Sequence, residues 1–524
     1  MPHHGEDVVD DDTRTSTIVV AASNSLDPTL ADEAYRCSGA LDHVEINNAL
    51  VAAAAVNGSV ELLEGDYYTT LTLSVAVNVV LKAVGWGAVI HFNAGGNAIT
   101  IAGDNVKLRD FKIVIVAGAG DAGTRPTCIR AETRTNLEIT KVWLIGDESV
   151  ANDGSALRQC GIFFDAVTFS RIALCKTNDH MRHGIRLQHY SKNNTVTGNT
   201  CNGNTQHGIS LSGDSENNTL TGNTCNGNTQ NGIRVSDAAD NTLTGNTCNE
   251  NGDEGIYLST ASGNNTLTGN TCNGNTVDGI HLSGDSDNNT LTGNTCNGNT
   301  QHGIHLSVGL NNTITGNTCN GNTENGIIFS TGQESTLTGN TCNDNRHGIY
   351  LAGSSGNTVT GNTCQGNTED GIQLLSSSNN NTVIGNISLQ NVHHGIFLDA
   401  SSDNTVVGNT CNENDVNNTG TYDGIHLRNG SDGNLVLGNT CKDNDRWGIM
   451  VDNDSDFNKV SNNYTARNTS GSINVNGATC DGNEMIFNTV EEGAPVDTGT
   501  LTRASGNFDP SANAYIAIIG VAPF

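Results

Sequence analysis

The chain has 524 residues, of which 35% are hydrophobic and only 4% aromatic, and 55 acidic against 24 basic residues give a formal charge of −31. A conventional globular core of this size would need more bulky apolar residues. The charge argues against docking on a nucleic-acid backbone or an anionic membrane surface, which both require a basic face. No run of 18 apolar residues exists to span a bilayer, so no membrane insertion is expected.

Residues 1–22 are polar and acidic and are expected to form a flexible arm. They contain no apolar h-region, so no signal peptide is visible in this chain. Residues 23–58 are the expected N-terminal cap. Within it Ile46, Ala49, Leu50 and Ala53 fall at helical spacing, which predicts an amphipathic helix over about Asp42–Val56, stopped by Asn57-Gly58. The segments SVELLEGDYY, NVVLKAVGW and NAITIAGDNVKLRDFKIVIV then read as strands. A helix ahead of the first strands would cover the open end of a stack.

From about Asn193 to Asp445 one phrase recurs, typified by NNTLTGNTCNGNTQ at Asn217–Gln230. Its cysteines are the ruler: Cys201, Cys225, Cys248, Cys272, Cys296, Cys319, Cys342 and Cys364 lie 22–24 residues apart. Ser388 takes the next slot, Cys411 and Cys441 resume the series, and an insertion around DVNNTGTYDG lengthens the interval between those two. Each copy holds a Leu-Thr piece, a GNTC piece and a GIxL piece, separated by Gly and Asn where the chain must bend. Three short strands and three corners in such a period make one coil of a parallel β-solenoid. The fold class is therefore all-β, a single-stranded parallel β-helix over 59–492, of roughly 16 to 18 coils and about 80 Å at the spacing of adjacent strands.

Stacking places equivalent residues in columns. Asn199, Asn223, Asn246, Asn270, Asn294, Asn317, Asn340, Asn362, Asn386, Asn409 and Asn439 form one, whose amides can donate and accept along the stack. The cysteines form another, read as small core residues in an inward slot, since no CxxC spacing offers a zinc site.

Two further columns vary most. The outward position of GIxL runs through Arg186, Ser210, Arg234, Tyr257, His281, His305, Ile328 and Tyr350. The residue before Gly runs through His183, His207, Asn231, Glu254, Asp278, His302 and His347. Aromatic, His and acidic groups one coil apart would line a groove for a sugar chain, with His207, Arg234, Tyr257, His281, His305 and Tyr350 as substrate-binding candidates. A solvated face that drifts freely is the bland alternative. The least repetitive stretch, Cys160–Tyr190, gathers Asp165, His183, Arg186 and His189, the candidate catalytic set; ordinary salt bridges are the alternative there. Asp-rich loops such as SGDSDNN would suit calcium or simply solvated turns. No other cofactor or metal is expected; two of the 15 His, His281 and His305, would stack, which leaves copper as a minor alternative.

The helix, the SVELLEGDYYTT strand-turn and the GNTC…GI coils resemble the pectin-lyase-like superfamily of right-handed parallel β-helices over roughly Pro28–Glu492. The later coils resemble repeats of its periplasmic copper-binding, surface and phage-associated members. The resemblance implies right-handed coiling and a choice among lyases, hydrolases, epimerases, tailspikes and adhesins that fold alone cannot make. Polygalacturonase GHG and RIK segments and the epimerase Tyr-Gly-Phe-Asp-Pro-His phrase are missing, so no enzyme motif transfers. The expected function is a surface or virion β-helix recognising polysaccharide, located extracellularly or on a virion. The alternatives are a polysaccharide lyase, hydrolase or epimerase, or a self-assembling structural protein. Residues 493–524 end in an apolar segment, expected to be a C-terminal cap or, as trimeric tailspikes of this fold imply, an oligomer contact.

Overall fold

A strand of three residues cannot hold itself; its N–H and C=O groups need neighbours on both sides. In the computed structural model, which describes residues 16–117, 126–147, 159–477, 479–491, 496–498, 503–510 and 514–515, the coils supply one another with those neighbours. The chain forms two compact units, residues 1–205 and 206–524. In each, strands pair in parallel with their counterparts one coil along.

In the first unit one ladder runs through Thr17–Val20, Ser59–Leu62, Val80–Ala83, Lys107–Arg109, Glu138–Thr140, Arg171–Ala173 and Thr195–Thr197. A second runs through Gly65–Thr69, Ala88–Phe92, Lys112–Ile115, Trp143–Ile145 and Lys176–Asn178. A third holds Leu73–Val75, Asn97–Ile101, Thr127–Glu132, Ile162–Asp165 and Ile185–Gln188. Alternation sends Leu81, Leu108, Ile139 and Ile172 inward from the first ladder and Ile90, Ile113 and Leu144 inward from the second, all fully buried.

The cap helix is His43–Ala54. It buries Ile46, Ala49, Leu50 and Ala53, as the spacing predicts, against Thr17–Val20, Ser59–Leu62 and Leu73–Val75. The Asp42 carboxylate accepts the N–H groups of Gly39, Ala40 and Tyr68 and so ties the helix start to the second ladder. Asn57 takes a φ of 49°, and Gly58 N–H returns to Ala53 O at 2.8 Å, which ends the helix. The arm expected over 1–22 is corrected: Thr17–Val20 is a strand in register with Ser59–Leu62, because its β-branched residues find a partner there. Residues 1–15 lie outside the described residues.

In the second unit the Thr-Leu-Thr pieces form one ladder and the GIxL pieces another, in register coil after coil. The cysteine pieces begin as single bridges, such as Thr271↔Thr295, and become strands from Thr363–Gln365 onward. All fifteen cysteines are buried and none is in a disulfide, and Ser388 sits in register between Cys364 and Cys411. The expected asparagine column is one of several, a further one running through Asn226, Asn249, Asn273 and Asn297. Asn223, Asn246, Asn270 and Asn294 chain Nδ2 to Oδ1 from coil to coil, and so do Asn228, Asn251, Asn275 and Asn299. In a third, Asn241, Asn265 and Asn289 accept the backbone N–H of the preceding coil's asparagine.

The coils continue past the expected limit of 492. Val496–Asp497, Arg503–Ser505 and Phe508–Asp509 pair in parallel with the preceding coil, and Asn507 accepts from Asn488, so this segment extends the β-helix. Ala514–Tyr515 then turns antiparallel on Phe508–Asp509, which closes the ladder edge. Among the described residues no helix is long and apolar enough to cross a membrane.

Candidate functional site

The third ladder of the first unit carries the candidate catalytic set. Register puts Phe163 beside Arg186 and Asp165 beside Gln188. Asp165 Oδ1 lies 3.0 Å from His189 Nδ1, and Gln188 Nε2 donates to Asp165 Oδ2 at 3.0 Å. Arg130 reaches to within 4.0 Å of the same carboxylate. Arg186 and Arg130 flank the Phe163 ring, at 5.4 and 5.0 Å from its centroid. His183 is buried in the column before Gly, apart from the half-buried Asp165 and the exposed His189.

In the second unit Arg234, Tyr257, His281, His305, Ile328 and Tyr350 pair in sequence, one per coil. Tyr257 and His281 rings lie 5.1 Å apart, and His281 stacks on His305 at 4.3 Å and 8°. These side chains are half-buried, and their polar atoms are engaged within the coil. Tyr257 Oη meets Ser283 Oγ at 2.9 Å, His281 Nε2 meets Ser307 Oγ at 2.6 Å, and His305 Nδ1 meets Asp278 Oδ2 at 3.1 Å. The column before Gly does not face solvent. His207, Asn231, Asp278, His347, Asp370, His394 and Asp423 are all buried, and His207 Nδ1 accepts the N–H of Asn231.

Burial sets the protonation of this inner column. It pushes the His347 and His302 imidazoles down to about 4 and raises the Asp370 carboxyl to about 8. Burial would raise Asp278 too, but the hydrogen bond with His305 and the neighbouring imidazoles hold it below the usual carboxylate range. Two clusters on this face bring His and carboxylate atoms within 4.8 Å: Glu254–Asp278–His281 with the adjoining His302 and His305, and His394–Asp423–His426. In the Asp-rich loop Asp287 accepts the N–H of Leu310.

A further constellation lies on the second ladder of the first unit, of which sequence reasoning singled out only Lys176, as one of the basic residues of the Cys160–Tyr190 stretch. Lys112, Trp143 and Lys176 stand in register on successive coils. Trp86, on the turn before Ala88–Phe92, meets Trp143 edge-on at 5.5 Å. Its indole N–H donates to Lys141 O at 2.6 Å. Lys112 Nζ lies 4.4 Å from the Trp143 ring, and Lys176 Nζ 4.7 Å from Trp86 and 5.0 Å from Trp143. Beside them a shallow cleft of about 410 Å³ is lined by Gly85, Trp86, Asp110, Lys141 and Leu174. Two of the chain's three tryptophans and three of its few lysines thus share one surface.

Residues 160–318 match the right-handed β-helix region family, and residues 321–508 match the periplasmic copper-binding protein (NosD) family. Among solved structures the chain is similar to the pre-mature gene product 12 of bacteriophage phi29, at 13% identity and a TM-score of 0.53, over 89% of this chain and 71% of that one. It is also similar to a mannuronan C-5 epimerase A-module of Azotobacter vinelandii (16% identity, TM-score 0.39, 70% of this chain and 90% of that one). The catalytic unit of a thermostable α-1,3-glucanase of Streptomyces thermodiastaticus is similar at 17% identity and a TM-score of 0.43, over 60% of this chain and 62% of that one. At such identities the likeness concerns the fold alone. No curated protein matches. The chain is a right-handed parallel β-helix.

Proposed function

We propose that this β-helix is an exported, surface-acting protein of tailspike or adhesin type that recognises a carboxylated polysaccharide. The observation that carries this reading is the Trp86–Trp143 pair flanked by Lys112 and Lys176. Indole faces stack on the C–H faces of sugar rings, while an ammonium at the ring edge pairs with a carboxylate. In a chain of charge −31 such a local cationic patch selects against repulsion by the rest of the surface. The family description that names the periplasm supports export.

The same description names copper, so the matched stretch is the place to ask whether a copper ion fits. His394, Asp423 and His426 are the converging donors there. Arg446 already holds both oxygens of Asp423, and the N–H of Trp447 donates to Oδ1 at 3.0 Å. A guanidinium on the only carboxylate of the set repels a cation, and the set does not fit the ion.

The Asp165–His189 hydrogen bond on an outward strand favours, as a second reading, acid–base chemistry on the same class of glycan. One experiment addresses both. The full chain is mixed with polygalacturonate, alginate and dextran, and binding and chain length are followed. Binding to the uronates that weakens about tenfold in Trp143→Ala and in Lys112→Ala/Lys176→Ala is the expected result. Equal binding of dextran, or uronate binding untouched by these substitutions, overturns it. Shortened chains that persist in the parent and vanish in Asp165→Asn support the second reading.

A further inference from the structure

Four side chains on the second unit's GIxL face each have one polar atom tied down and the other turned into a common space. Glu254 Oε2 accepts from the Asn231 amide at 2.5 Å, which leaves Oε1 facing His281 Nδ1 at 3.3 Å. Asp278 Oδ1 accepts the backbone N–H of His302 at 2.9 Å, which leaves Oδ2 facing His281 Nδ1 at 3.5 Å and His305 Nδ1 at 3.1 Å. On their far edges both imidazoles meet one hydroxyl: Ser307 Oγ lies 2.6 Å from His281 Nε2 and 3.2 Å from His305 Nε2.

The Ser307 hydroxyl has one proton to give. Passed to His305 Nε2, it leaves His305 Nδ1–H to donate to Asp278 Oδ2, while His281 donates Nε2–H to Ser307 Oγ. His281 Nδ1 is then a bare lone pair. In that tautomer it faces two carboxylate oxygens as a third acceptor; with the proton passed instead to His281 Nε2, Nδ1–H donates to the two carboxylates, and a metal ion would take that proton's place. Ser330 Oγ is the other hydroxyl near His305 Nε2, farther off at 3.4 Å. Among the described residues no Lys or Arg pairs with Glu254 or Asp278, unlike Asp423, which Arg446 neutralises.

We infer that Glu254, Asp278 and His281 form a binding site for a divalent transition metal of the zinc type, with one coordination position left open. Ligands about 2.0–2.1 Å from a tetrahedral zinc stand roughly 3.3 Å apart. The His281 Nδ1 separations of 3.3 and 3.5 Å match that spacing, and all three ligand atoms lie within 4.8 Å of one another. One imidazole and two carboxylates suit a borderline ion. Asn231, the His302 backbone, His305 and Ser307 are the outer partners that fix each ligand's rotamer and tautomer. The site lies outside the 321–508 stretch and uses none of the Trp–Lys surface, so it stands independently of the polysaccharide reading.

The test is calorimetric titration of the chelator-treated full chain with zinc chloride, repeated with cobalt chloride and its visible absorption. One ion per chain is expected, with affinity falling tenfold or more in Glu254→Gln and His281→Ala. Glu254→Gln keeps the Oε position that accepts from Asn231, so it also serves where a larger change unfolds the coil. Ser307→Ala is expected to weaken binding by about tenfold through the tautomer alone. No saturable zinc binding, or binding of equal strength and stoichiometry in Glu254→Gln and His281→Ala with unchanged thermal unfolding, overturns the assignment.

Discussion

A methyl group placed on Gly279 would lie 2.7 Å from Cys296 Cβ and 2.6 Å from Gly303 O, both one coil along. The glycine of the GI pair is therefore a matter of space. The glycine of the GNT corner is a matter of conformation: Gly293 has a φ of +62° and nothing within 4 Å of its missing Cβ. The two classes predict different costs. Gly279→Ala must push a backbone carbonyl and a core cysteine apart and is expected to destabilise by about 3 kcal/mol or more. Gly293→Ala meets only the left-handed backbone penalty, about 1 kcal/mol. Denaturant midpoints of the two variants give the comparison; equal losses would refute the distinction.

Asn294 serves four partners. Its Oδ1 accepts from the Asn270 backbone and side chain, and its Nδ2 donates to Leu267 O and Asn317 Oδ1. Alanine there leaves a buried N–H and a buried C=O without partners, an expected loss of about 2–4 kcal/mol. Aspartate keeps the acceptor but loses both donors and adds a buried charge, so Asn294→Asp is expected to be worse at pH 7 and partly rescued at pH 4. Urea unfolding of both variants at the two pH values measures this.

The coil was legible because its ruler is a packing rule: the cysteine slot must recur at each turn, and Ser388 fits the same slot. One asparagine column was legible and the others were not. GNT, NNT and NGN phrases are alike in composition, and only the register shows that Asn228 and Asn241 stack as Asn223 does. The column before Gly looked outward because it varies. It is buried because the adjoining glycine lets the next coil close over it, which turns His207 and Asp278 into internal partners. The Trp86–Lys112–Trp143–Lys176 surface had no periodic signal at all: its members stand in coils of unequal length ahead of the repeat, so nothing in their spacing announced that they align.

The thiols make a third prediction. Burial pushes Cys175 up to about 12 and holds Cys272 and Cys296 well above the ordinary thiol range, so these three offer no thiolate, and the whole column is closed to solvent. The native chain is expected to release less than about one thiol to an aqueous disulfide reagent over minutes, against all fifteen after denaturation. Rapid reaction of several thiols in the folded protein would mean that the cysteine column is reachable and is not simply core.

Acid and alkali should each erode stability through identifiable groups. His180 is buried and held near 4 by desolvation, against 6.5 when free. Between those values the unfolded chain binds a proton that the folded chain refuses, so stability falls as pH drops from 6.5 to 4. Asp370 works in the opposite sense. Burial raises it from 3.8 to about 8, so the folded chain keeps a proton that the unfolded chain has lost, and stability falls as pH rises through that window. Asp370→Asn retains an oxygen for the His394 N–H, which Asp370 Oδ1 accepts at 2.9 Å, and removes the titration. It is expected to match the parent at pH 4.5 and to exceed it by about 1–3 kcal/mol at pH 8. His180→Gln should make the acid limb shallower by its own share, since His302 and His347 are held down in the same way, and leave the alkaline limb unchanged. Unfolding midpoints from pH 4 to 8 decide the matter: an Asp370→Asn curve parallel to the parent's would show that Asp370 is ionised in the fold, balanced by the neighbouring His347.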